Sequence, residues 1–255
     1  VSALRPAATD RSRALLLGLT GIALMMAVWE IAVRVLDVPS YILPPMSGIV
    51  AMAIAEWRIL LAAAWVTVFE VVMGLGIGMV VGVAIAILLV VAPRAKPLVL
   101  PPLIAINAVP SVAYAPLAQL WFGMGPEGKV FMVAFVVSYT VLLNTLDGLE
   151  RVDNAAVNLL KSFGAGRMAI LWRLRFPSAA AAAATGIRIS VVRGMIIAVV
   201  TEMLGAYRGL GWIVFQSVQQ IDYLRVWAAV LVTSVTSLAL FAIVSMAERK
   251  LIYWR

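Results

Sequence analysis

Six long apolar runs separated by short polar segments organise the chain: residues 14–35, 62–91, 98–121, 130–146, 179–204 and 226–247. A helix needs roughly 20 apolar residues to cross the hydrocarbon core of a bilayer, so the pattern predicts six spanning helices. The second run is long and the fourth short, which predicts tilt or trimmed ends. The first is too long for a signal-peptide core and lacks a small-residue cleavage site, so it reads as a retained helix. Between the fourth and fifth runs lies a polar stretch, 153–177, with Lys161, Arg167, Arg173 and Arg175. It is too basic to enter lipid, and structureless connections of this length are uncommon. Its pattern predicts a helix over 155–163 ended by Gly164, the residue favoured where a chain turns left-handed. A second helix runs from Arg167 and stops before Pro177. Held between glycine and proline breaks, that second piece can move as a rigid lever; otherwise it is an amphipathic surface helix with a solvated basic face.

Two further segments are more than plain loops. Residues 39–60 begin with YILPP and continue as a weakly amphipathic helix over 47–57, suited to lying along the outer interface. Residues 205–225 carry Gly205, Gly209 and Gly211 and then QSVQQIDY. They read as a short interfacial helix after a glycine turn, ahead of a substrate-binding reading.

Composition sharpens the membrane assignment. The chain is 64% hydrophobic and 13% charged, against about a quarter charged in soluble proteins. Its net charge of +8 sits in short loops, which fits retention of Lys and Arg on the cytoplasmic side better than a nucleic-acid surface. With the N-terminus inside, that side carries Arg5, Arg11, Arg13, Arg94, Lys96, Arg151, Lys161, Arg167, Arg173, Arg175, Arg249, Lys250 and Arg255. The outer side carries Arg58, Lys129, Arg208 and Arg225, with Arg34 near that face. The expected organisation is a cytoplasmic segment 1–13, a transmembrane domain 14–247 with a cytoplasmic loop 148–178, and a cytoplasmic tail 248–255. Cysteine and histidine are absent, which removes disulfides, thiol chemistry, the usual zinc ligands and the commonest general base. No metal site is expected.

Within the runs, Gly74, Gly78 and Gly82 recur every four residues, a stripe that lets another helix approach closely. The alanines 179–184 offer the same at the start of the fifth run. The third run contains Pro101, Pro102, Pro110 and Pro116, each lacking an N–H. Asn107, Ser111 and Tyr114 fall at i, i+4 and i+7, one face of whatever helix survives. Broken helices with a polar stripe line pathways or pack polar groups. Ionisable residues at membrane depth cost about 2.5–3.5 kcal/mol on insertion scales, which singles out Glu70, Arg188, Arg193 and Glu202. Arg188 is near enough to the cytoplasmic end to snorkel. Arg193 and Glu202 are nine residues apart and point to opposite faces of an unbroken helix. Thr201 and Glu202 join the pathway candidates. Arg193 either faces a cavity and suits an anion or pairs with a carboxylate such as Glu70, and the pairing is the expectation.

The polar stretch resembles the cytoplasmic signature of bacterial ABC-importer permeases: E-A-A, three residues, Gly, nine residues, I-x-L-P. Gly164 takes the glycine, and Leu174, Arg175, Phe176 and Pro177 take the I-x-L-P. Asn158, Leu159 and Leu160 stand where the motif has E-A-A, so its acidic residue is missing. LPPMSGIV (43–50), VPSVAYAPLAQLWFGMG (109–125) and GIRISVVRGMIIAVVTEMLGAYRGLG (186–211) resemble the nitrate/sulfonate/taurine/bicarbonate branch. Glu70 departs from the basic residue usual there. The resemblance implies an all-α polytopic membrane protein of type I importer fold, with two permease copies, two ABC ATPase subunits and a periplasmic substrate-binding protein. It implies a bacterial inner-membrane location with both termini cytoplasmic. A coupling helix around Ala165, Gly166, Arg167, Met168 and Leu171 would dock on the ATPase, with Asn158, Gly164, Leu174 and Pro177 framing it. The cargo it implies is a small anion such as a sulfonate, nitrate or bicarbonate, or else a vitamin precursor. ATP and magnesium would belong to the ATPase, and this chain has no G-x-x-x-x-G-K-[ST] stretch of its own.

Two rival classes fare worse. A membrane-embedded lipid-modifying enzyme needs clustered acid–base or metal-binding groups, and the nearest acidic group, Asp147, Glu150 and Asp153, has no such partners. An ion-coupled secondary transporter would carry an inverted repeat, and none is detected.

Overall fold

The computed structural model describes residues 8–251, and the regular elements among them are all helical. Arg5 and Arg255, with the ends of the two expected terminal segments, lie outside the described residues. The helices are α1 (Ala8–Val35), α2 (Met46–Ala55), α3 (Trp57–Val91), α4 (Lys96–Ala108), α5 (Ala115–Phe122) and α6 (Pro126–Glu150). They continue as α7 (Asn154–Ser162), α8 (Arg167–Ile170), α9 (Phe176–Gly205), α10 (Leu210–Gln219) and α11 (Tyr223–Leu251). Five helical stretches are long and apolar enough to cross a membrane, and α4 with α5 forms a bent candidate for a sixth span.

The core is a layer of α3, α6 and α9. Val71, Val133, Val137, Val141, Met195 and Ala198 are buried where the three meet. Backbones come close there because side chains are missing. A Cβ on Gly78 would lie 2.7 Å from the Ala134 carbonyl oxygen, and one on Gly82 would lie 2.5 Å from that of Ser138. A Cβ on Gly74 would lie 2.5 Å from the Val133 Cβ. The same device joins α6 to α9, where Gly148 faces Ala179 and Ala182. Around this layer, α10 fits against Leu60, Ala63 and Ala64 of α3 and Ala228 and Ala229 of α11. Helix α1 is peripheral, held near its end by Trp29 edge-on to Trp227 at 5.4 Å and by Glu30 with Ser47.

The third run is broken, as its prolines lead one to expect: α4 and α5 are bent by 90°. Pro101 and Pro102 lie inside α4 without ending it, and the break comes at Val109, extended at φ −73°, ψ 135° as the residue before Pro110 must be. The fourth span is not short. It starts at Pro126, suited to a first helical position, and Lys129 is no outer-loop residue. Lys129 is 1% exposed, and its Nζ donates to the carbonyls of Met124 and Gly125 at 2.5 and 2.8 Å.

The helix from Arg167 does not stop before Pro177. A π turn over Leu171–Arg175 carries it directly into α9. The wider i→i−5 turn accommodates a proline whose N–H is missing, so Arg167–Gly205 is one 39-residue helical path.

Candidate functional site

The bend between α4 and α5 opens a cavity of about 340 Å³ against α6 and α9, lined by Asn107, Val109, Ser111, Tyr139, Arg193 and Ile196 among others. Asn107 and Ser111 meet there because the chain bends, not because they share a helix face. Tyr114 is not a lining residue. Its hydroxyl donates to the Ile106 carbonyl at 2.9 Å across the bend, and its ring packs edge-on to Phe135, so it holds the bend shut. Tyr139 was missed; in the sequence it is one aromatic in an apolar run, and its only signal is the flanking Ser138 and Thr140.

Arg193 corrects a second expectation. It has no ion pair with Glu70; its one hydrogen bond among the described residues is a long one, Nη1 to Thr140 Oγ1 at 3.4 Å. With Ile189, Val192 and Ile196 it forms an exposed stripe at i, i+3, i+4 and i+7, near the middle of α9. A guanidinium at that depth is too costly to face hydrocarbon. The stripe therefore belongs against protein or water.

Thr201 and Glu202 point away from the cavity and are 0% exposed. Glu202 accepts from Thr67 Oγ1 at 2.8 Å and from the Gly211 N–H at 2.6 Å, while Thr67 Oγ1 accepts from the Leu210 N–H at 3.0 Å. Two orphan donors at the start of α10 are thus satisfied by α3 and α9, where a helix N-terminus favours negative charge. Gly209, at φ +104°, makes room: a Cβ there would collide with the Glu202 carboxylate. Thr201 is tied to Ile197 of its own helix. Neither Thr201 nor Glu202 lines the cavity. Glu70 is buried beside Glu202 and Lys129 rather than beside Arg193.

On the polar loop, Asp153 caps α7 by accepting from the Ala155 N–H at 2.9 Å. Gly164 ends it at φ +80°, with Ala165 N–H to Leu160 O and Gly164 N–H to Lys161 O at 3.0 and 2.9 Å. That is the paired pattern of a left-handed helix stop. Gly166 leads into α8, with Arg167 at its first position. Asn158 is exposed and Leu174 half-buried. Pro177 is exposed inside the continuing helix. Leu171 is turned into the core with Leu89, Leu142 and Leu149, so it anchors the segment and does not present itself outward. The outward face mixes exposed Lys161, Arg167 and Arg173 with apolar groups: Leu159, Phe163, Met168 and Trp172 are each more than half exposed.

These features define a helical membrane transport subunit: a broken span beside a cavity that carries an arginine in a mostly apolar wall, joined by one helical path to a polar loop with exposed apolar groups. Residues 74–253 match the family of binding-protein-dependent transport system inner membrane components, and the chain belongs to that family. It is an inner-membrane, multi-pass permease component of a binding-protein-dependent ABC importer, a transport subunit without a catalytic domain and with no cofactor of its own. Membership sets aside the lipid-modifying enzyme and the ion-coupled transporter. Permeases of this family assemble with ATPase subunits and a binding protein.

A probable ABC transporter permease protein of Haemophilus influenzae is 30% identical over 86% of this chain and 90% of its own length. The formylaminopyrimidine transport permease protein ThiX of Halalkalibacterium halodurans is 30% identical over 91% and 93%. The taurine transport system permease protein TauC of Escherichia coli is 25% identical over 95% and 91%. Among solved structures, an inward-facing MetNI methionine ABC transporter has a chain with TM-score 0.64 at 14% identity, over 78% of this chain and 97% of that one. The fold is shared with it.

Proposed function

We propose that two copies of this chain enclose a pathway for a small anionic solute, of sulfonate, nitrate or bicarbonate type. A periplasmic binding protein delivers the solute, and two ATPase subunits grip the α7–α8 segment from the cytosol. ATP and magnesium bind to those ATPases. Both termini, 1–13 and 248–255, lie on the cytosolic side together with the loop 148–178, in keeping with the distribution of Lys and Arg.

The observation that carries the reading is Arg193: a mid-membrane guanidinium without an ion pair among the described residues, on an exposed stripe and at the wall of a cavity with Asn107, Ser111 and Tyr139. Water in a pathway and the flank of a second copy would cover that stripe. The outward-facing Phe163 and Met168 support the ATPase contact, since exposed apolar groups outside the lipid mark protein interfaces.

A relative named for formylaminopyrimidine at 30% identity supports a second cargo, a vitamin precursor. Uptake into proteoliposomes by the assembled transporter separates the two. With Arg193→Gln, anion uptake is expected to fall about ten- to hundredfold, the worth of a charge-assisted hydrogen bond, while assembly and basal ATPase activity persist. Arg193→Lys recovers part of it. Preferential uptake of an uncharged pyrimidine, unaffected by Arg193→Gln, would overturn the anion.

A further inference from the structure

A second cavity, of about 680 Å³, lies away from the pathway, between the end of α3, the turn Pro93–Ala95 and the polar loop. Four of its lining residues are cationic: Arg94, Lys161, Arg167 and Arg175. None of its lining residues is acidic. Two nearby cations are matched with carboxylates, Lys96 with Glu150 at 2.6 Å and Arg151 with Asp147 at 2.9 Å, and Arg173 is exposed. The four around the cavity form no ion pair among the described residues. Arg175 Nε is moreover shielded from solvent with no hydrogen-bond partner. A buried donor without a partner is costly, and gathered like charges repel.

An anion with several acceptor oxygens would relieve both. The rest of the wall is apolar: Val90, Val91, Val157, Met168, Ile170 and Leu171. Val90 and Val91 close a spanning helix, so the cavity opens where acyl chains give way to headgroups. Basic pockets at that depth on the cytoplasmic side suit lipid phosphates.

We propose that this cavity binds a phosphate group, supplied by an anionic glycerophospholipid of the inner leaflet whose acyl chain lies along the valine wall. The lipid then bridges the end of α3 to the α7–α8 segment. Arg167 belongs to the gripped segment, so Arg94 and Arg175 are the residues to vary.

The assembled transporter is placed in nanodiscs of phosphatidylcholine doped with labelled phosphatidylglycerol, extracted, and the retained lipid counted by native mass spectrometry. Retention of phosphatidylglycerol should exceed its share of the disc. It should drop about fivefold for each of Arg94→Ala and Arg175→Ala, in line with the pull of one cation near a charged surface. Arg94→Lys, which keeps the charge, and Arg58→Ala, on α3 far from the cavity, should retain it. Retention equal to that of phosphatidylcholine, or unchanged in both alanine variants, overturns the site. Displacement by millimolar inorganic phosphate would uphold the phosphate contact and overturn the lipid as its source. No step of this measurement depends on transport, so its failure and that of the anion pathway are read separately.

Discussion

One backbone angle decides how the polar loop turns. Gly164 sits at φ +80° with open space around its Cα, so the demand is conformational and not steric crowding. A β-branched residue in that region costs about 1–2 kcal/mol. Gly164→Val should loosen the turn between α7 and α8 while leaving the buried helices untouched. In proteoliposomes the expected result is ATP hydrolysis that continues with uptake lost; failure of the variant to insert would instead make the glycine a folding residue alone. This position is legible in the sequence because a glycine follows a short amphipathic run after a capping Asp. Lys129 and Arg193 are not legible in the same way. Whether a lone cation is an outer-loop residue, a buried cap or a cavity wall depends on carbonyls and carboxylates brought near it by other helices. Glu202 shows the reverse: a deep carboxylate with the look of a pathway group is consumed by the Gly211 N–H of α10 and by the Thr67 hydroxyl.

At the scale of elements, the stripe on α3 makes a sharp contrast with its neighbour. Gly78 faces the Ala134 carbonyl across the α3–α6 contact, whereas a Cβ on Gly76 would meet nothing within 4 Å. Gly78→Val should cost about 1–3 kcal/mol by overpacking and lower the melting temperature of the purified permease, with Gly76→Val close to wild type. Equal effects at the two positions would mean that helix propensity, not close approach, explains the stripe. Span positions were readable because lipid rewards uninterrupted apolar length. The size of the bend at Val109 was not, since a proline marks where a hydrogen bond is lost without setting the angle. Pro177 misleads for a related reason: it reads as a stop, but a π turn tolerates it.

At the scale of the molecule, the stripe of Ile189, Val192, Arg193 and Ile196 is the face that a second copy is proposed to cover. The chain has no native cysteine, so introduced thiols report without background. Ile196→Cys should form a disulfide-linked dimer in native membranes under mild oxidation, and Leu24→Cys, 67% exposed on α1, should not. The opposite result would put the neighbouring copy on the other side. The loop motif and the branch-like segments made the family readable from sequence, yet the stripe itself was not, because which face of α9 stays uncovered depends on how α3, α6 and the bent third run pack around it.

The unbroken helical path from Arg167 to Gly205 has a mechanical consequence. At 1.5 Å per residue, about 40 Å of helix separates Arg167 from Arg193, interrupted only by the π turn over Leu171–Arg175. Under the proposed arrangement, the engine's stroke and the cargo's foothold are two ends of the same crank, and torque applied in the cytosol arrives at the guanidinium without a relay.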